Sequence, residues 1–101
     1  MAPHAAQAGT LLRALANQQR LMILCLLSEA ELSVGELNAQ LPLSQSALSQ
    51  HLAILREQGV VRARRDGQVI FYALLPGPAA QIVQTLHDIY CSVDGRDAPA
   101  P

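Results

Sequence analysis

Two thiols carry most of the covalent chemistry open to this sequence. Cys91 closes the last helical stretch, LHDIYC, and Cys25 lies inside the apolar run LMILCLL. A cysteine pair can form a redox link or bind a soft metal, and each cysteine alone can pack as a small hydrophobe. Cys25 alone suits the packing role. On a helical wheel Cys91 lies about 140–160° from the centre of its helix's apolar arc, near Gln84 and His87. Cys25 falls at the boundary between Leu21/Met22 and Ser28/Glu29, where a side chain is half covered. Redox sensing needs one thiol to ionise near neutral pH and a second to resolve the intermediate. The wheel makes Cys91 the more solvent-reachable thiol, and so the expected first nucleophile of any such chemistry. There is no CxxC, no Ser–His–Asp cluster and no Gly-rich phosphate loop, which argues against a thiol oxidoreductase or another small enzyme.

The second group with chemistry is cationic. Net charge is −1, which by itself disfavours nucleic acid, yet all seven basic residues are arginine. Arg56, Arg62, Arg64 and Arg65 fall within one short stretch, while Asp88, Asp94 and Asp97 gather near the C-terminus. A local basic cluster gives an electrostatic footprint even on a neutral chain, although a solvated turn would look similar.

Helices and a hairpin must hold these groups. A chain of 101 residues with half its residues hydrophobic and only three aromatics makes one domain, with a core of Leu, Ile, Val and Ala. Apolar spacing predicts a first helix over about Ala5–Leu15 and a second, apolar nearly all round, over about Asn17–Glu29. Ser33 with Glu36 three residues on makes a capping box for a short helix, Val34–Gln40, which Pro42 ends. Ser44 caps the next, Gln45–Gln58, and Gly59 terminates it. On that helix Leu48, Leu52 and Leu55 form the inner stripe. Ser46, Gln50, Ala53 and Glu57 point outward with Ser49 on the flank, a face that is small, polar and almost uncharged. VVRARRDGQVIFYAL reads as two strands around an Asp66-Gly67 turn, with Val61 and Ala63 inward and Arg62 and Arg64 outward. A last helix runs from about Pro78 to Ser92. Residues 1–4 and 93–101 are expected to fray, leaving 5–92 as the domain.

Two short helices joined by a tight turn, followed by a basic hairpin, form a mainly α winged helix-turn-helix with a two-stranded wing. In that geometry the second helix enters the DNA major groove. Ser44, Gln45, Ser46, Ser49, Gln50 and His51 are the expected reading positions, and Gln suits bidentate contact with adenine. Arg62, Arg64, Arg65 and Gln68 on the wing are expected at phosphates or in the minor groove.

RALANQQRLMILCLL, ELSVGEL, LSQSALSQHLAILREQGVVRARRDGQVIFYAL and LHDIYC together resemble the ArsR/SmtB-type bacterial transcription regulators, over about Leu11 to Cys91. The resemblance implies a homodimer joined through the first and last helices, bound to operator DNA and released by an inducer. Metal-sensing members carry cysteines in a segment of type ELCVCDL; here Ser33 and Gly35 stand at those positions, and neither is a soft ligand. His87 and Asp88 are adjacent and diverge on their helix, so the resemblance implies neither a metal nor another cofactor. Cys25 and Cys91 instead resemble the dithiol pair of the BigR/SqrR/HlyU-like branch. By family architecture the two helices pack within one subunit, so an oxidant would join the thiols directly and a persulfide through inserted sulfur. Either link would bias the DNA-binding equilibrium. The branch leaves two readings open: a repressor switched by reactive sulfur species or oxidants, and an anti-silencing activator whose cysteines only modulate it. MAPHAAQAGT lacks the basic start and apolar stretch of a signal peptide, and no run approaches a membrane span, so a cytoplasmic protein with reduced thiols is expected.

Overall fold

The computed structural model describes residues 2–90. Five helices and three strands follow in the order α1 (Ala2–Leu15), α2 (Gln18–Leu27), β1 (Leu32–Ser33), α3 (Val34–Gln40), α4 (Gln45–Glu57), β2 (Val61–Asp66), β3 (Val69–Leu74) and α5 (Pro78–Tyr90). α1 begins three residues earlier than its apolar spacing predicts. The expected end of the last helix and the 93–101 tail lie outside the described residues.

Local capping chemistry sets most of these boundaries. Asn17 caps α2 by accepting the Arg20 backbone N–H at 3.1 Å. α2 ends at Leu27, two residues short of the expected Glu29. There the Ser28 hydroxyl donates to the Cys25 carbonyl at 2.6 Å, satisfying one of the carbonyls a helix end leaves orphaned. Ser33 and Glu36 form the predicted capping box: Ser33 Oγ accepts the Glu36 N–H at 3.0 Å, and the Ser33 N–H donates to Glu36 Oε1 at 2.8 Å. Between α3 and α4, Asn38 Nδ2 donates to the Leu43 carbonyl at 2.9 Å and ties the turn down. α4 stops in a Schellman motif. The Val60 N–H bonds to the Leu55 carbonyl and the Gly59 N–H to that of Arg56, with Gly59 at φ +72°, where a Cβ would be strained.

The sheet departs from expectation in two places. It has three antiparallel strands in the order β1-β3-β2, because the two-residue β1 pairs Leu32 with Tyr72 and Ser33 with Phe71. In the hairpin Asp66 pairs with Val69, so the turn residues are Gly67 and Gln68 rather than Asp66 and Gly67. Gly67 takes φ +66°, the positive value that the first position of a primed hairpin turn requires. The wing is real, but its tip is shifted by one residue.

The core is a single aliphatic cluster. Ile23, Leu24 and Leu27 of α2 meet Leu48, Leu52 and Leu55 of α4, closed by Leu37, Val60 and Val61, and by Ala79 and Val83 of α5. α2 packs against both α4 and α5, and so acts as the central strut between the last helix and the helix-turn-helix.

Candidate nucleic-acid interface and the cysteine groove

With Leu48, Leu52 and Leu55 turned inward, α4 exposes Gln45, Ser46, Ser49, Gln50 and Ala53. Ser44 is exposed too, but its Oγ already accepts the Ala47 N–H at 3.1 Å and lies 3.3 Å from Ser46 Oγ. Small uncharged side chains would let a helix backbone approach base edges closely, and the exposed Gln50 and Ser49 carry the donors and acceptors such an approach would use. His51 differs from the other positions expected to read DNA. It is half-buried, and its Nδ1 lies 3.3 Å from Arg20 Nη1 on α2.

Strand alternation splits the wing arginines. Arg62 and Arg64 share one face of β2, and Arg65 lies on the other with Ala63. Arg62 and Arg64 converge on one carboxylate, Glu31, just before β1. Arg64 binds it through Nε at 3.1 Å and Nη2 at 2.8 Å, and Arg62 Nη1 adds a contact at 3.4 Å. The Arg64 guanidinium also stacks 4.7 Å from the centroid of the Phe71 ring, its cross-strand neighbour. The Glu31 carboxyl is held below its ordinary range, first by the Arg64 hydrogen bond and then, against some desolvation, by the charges of Arg64 and Arg62. Arg62 and Arg64 therefore face solvent as an ion-paired group. Arg65 has no carboxylate within ion-pair distance among the described residues. Gln68 is exposed at the hairpin tip.

Cys25 is half-buried and lines a groove between α2 and α5 with Leu21, Met22, Val83, Leu86, His87 and Tyr90. Cys91, with its expected place on the outer side of the last helix, lies outside the described residues. Tyr90, its neighbour in the chain, lines the same groove as Cys25.

Glu31 and Arg20 are the two residues of this region that sequence reasoning missed. Each acts across about 30 positions of chain, as from Glu31 to Arg64 or Arg20 to His51, and no local spacing announces such a pair.

A helix-turn-helix with an exposed polar second helix and an arginine-bearing hairpin defines a winged-helix DNA-binding domain. Residues 17–63 match the family described as bacterial regulatory protein, arsR family. The chain is 49% identical over 94 residues to the transcriptional activator HlyU of Vibrio cholerae, a match covering 93% of this chain and 87% of that protein. It is 45% identical to the biofilm growth-associated repressor of Xylella fastidiosa over 91% of this chain and 81% of that one. The solved structure of reduced Vibrio cholerae HlyU superposes with a TM-score of 0.86 at 50% identity, covering 90% of this chain and 96% of that one. The chain belongs to the ArsR family, and it is a transcription regulator of the HlyU/BigR type rather than an enzyme. No helix among the described residues is long and apolar enough to cross a membrane.

Proposed function

We propose that the chain is a homodimeric regulator that reads operator DNA through α4 and is switched by a link between Cys25 and Cys91. The observation that supports the switch is the groove between α2 and α5, which Cys25 and Tyr90, the residue preceding Cys91, both line. α2 also packs on α4, so a covalent tie from α2 to the end of α5 pulls on the strut that supports the reading helix. The dimer reading rests on large apolar side chains left exposed on the first and last helices, Leu12 at 51%, Ile89 at 55% and Tyr90 at 67%.

The chemistry balances with either class of inducer. Peroxide takes two electrons and two protons from the thiols, leaving a disulfide and two waters. A persulfide transfers its outer sulfur to one thiolate and leaves as a thiol. The second thiolate then expels hydrosulfide to close a disulfide, or a further persulfide equivalent leaves as thiol and hydrogen sulfide when a trisulfide closes. Intact mass of the reduced chain after treatment with a low-molecular-weight persulfide, with peroxide in parallel, tests this. A bridge between Cys25 and Cys91 that resists alkylation and retains extra sulfur supports reactive-sulfur sensing. A plain disulfide in both tubes supports a general redox switch. Freely alkylated thiols in both would overturn the sensing reading.

The likeness to an activator as well as to repressors supports a second reading, an anti-silencing activator that competes with another DNA-binding protein. Its cysteines would be modulatory, and its DNA affinity would be the same in reduced and crosslinked forms.

A further inference from the structure

Arg20 occupies a junction that the DNA-reading surface alone does not require. From the first turn of α2 its Nε donates to the Ala14 carbonyl at 2.6 Å and its Nη2 to the Arg13 carbonyl at 3.3 Å, both in the last turn of α1. A cation there satisfies carbonyls the helix end leaves open and complements its dipole. The remaining contact, from Nη1 at 3.3 Å, goes to His51 Nδ1 in the middle of α4. A guanidinium has five N–H donors and no acceptor. In a hydrogen bond between them Nδ1 is the acceptor, the arrangement of the ring tautomer that carries its proton on Nε2.

We infer that Arg20 is a positioning residue for DNA binding: it fixes the His51 tautomer and ring, so that Nε2–H is a donor for a DNA phosphate at the edge of the reading face. His51 lies on the flank of α4 between the buried Leu48–Leu52 stripe and the exposed Gln50. Helix flanks at that depth meet the sugar–phosphate backbone rather than base edges, and a hydrogen bond to an anionic oxygen is among the stronger kinds. The two remaining contacts of Arg20 anchor its guanidinium to α1, so the ring is oriented by the α1–α2 junction rather than by α4 alone. The inference rests on the groove reading of α4 given above.

Nitrogen-15 NMR of the imidazoles in the full chain tests the tautomer directly. The expected result for His51 is a neutral ring protonated at Nε2, with that preference lost in Arg20→Met; a ring protonated at Nδ1 would overturn the inference. Binding to a pool of randomised duplexes tests the contact. His51→Asn keeps an acceptor where Nδ1 sits but removes the distal donor, and is expected to weaken binding about tenfold. The Arg20→Met, His51→Asn double variant should lose no more than the larger single loss, because the two residues act as one unit. Additive losses would refute the coupling. Should Arg20→Met fail to fold, the wild-type tautomer and the His51→Asn affinity decide the matter without it. If Gln50→Ala and Arg65→Ala weaken binding while His51→Asn does not, this inference fails and the groove reading stands. If none of the three weakens binding, the groove reading itself fails.

Discussion

Replacing Glu31 by Gln removes the carboxylate on which Arg62 and Arg64 converge while keeping the size and polarity of the side chain. In the native chain Glu31 offsets one of the two charges of Arg62 and Arg64, with Asp66 Oδ2 a further 4.0 Å from Arg64 Nη1, so the variant gains one net positive charge per protomer at the wing. Each extra phosphate a protein neutralises steepens the fall of log K with log salt by about 0.9. The expected change is therefore a steepening of about 0.9 per protomer, with DNA affinity at low salt rising by up to about fivefold per protomer, the upper range of an exposed ion pair. All three side chains are substantially exposed, with Glu31 at 29%, Arg64 at 45% and Arg62 at 51%, so the effect should fade as salt rises. Fluorescence anisotropy with a duplex selected from a randomised pool, measured across a salt series, reads both quantities. Weaker binding with an unchanged slope would refute the reasoning. Glu31 would then organise the wing for DNA, not compete with DNA for its arginines.

Three further outcomes are expected. Arg65→Ala should weaken binding to all duplexes alike and flatten the salt slope by about 0.9 per protomer, read in the same titration. Gln50→Ala should instead change which duplexes are selected from the pool, with discrimination at one base position falling by about 1–3 kcal/mol. The Glu31 carboxyl titrates below its ordinary 4.5, so its ion pairs contribute fully above that pH and are lost as pH falls through the lowered value. The acid limb of the stability profile should accordingly be shallower in Glu31→Gln than in the native chain, as followed by circular dichroism.

What the sequence disclosed divides by the range of the interaction. Ser33 with Glu36, Ser44 with Ala47, and Gly59 after α4 are contacts within a few residues, and each is written in residue type and spacing. The apolar stripe of Leu48, Leu52 and Leu55 is likewise local, and it decides which face of α4 is left exposed. β1 escaped because two residues cannot show a period, and its partners on β3 lie far along the chain. The hairpin tip was displaced by one residue because Asp-Gly and Gly-Gln both place a glycine where a positive φ is needed; only strand register separates them. Alternation along VVRARRD already put Arg62 and Arg64 on one face, but the wing reading grouped Arg65 with them, and pleating sets it on the other face with Ala63. Neither the Glu31 clamp nor the Arg20–His51 contact has any local signature, since the fold alone brings those polar groups together.

The switch is tested most directly by DNA affinity in two chemical states of one preparation. Reduced protein is titrated against a duplex selected from a randomised pool, then treated with a low-molecular-weight persulfide and titrated again, and finally restored with dithiothreitol. The account predicts that affinity falls on treatment, returns on reduction and does not change in Cys25→Ser. Equal affinity in all three states would contradict it and leave a DNA-binding regulator whose cysteines are not its sensor.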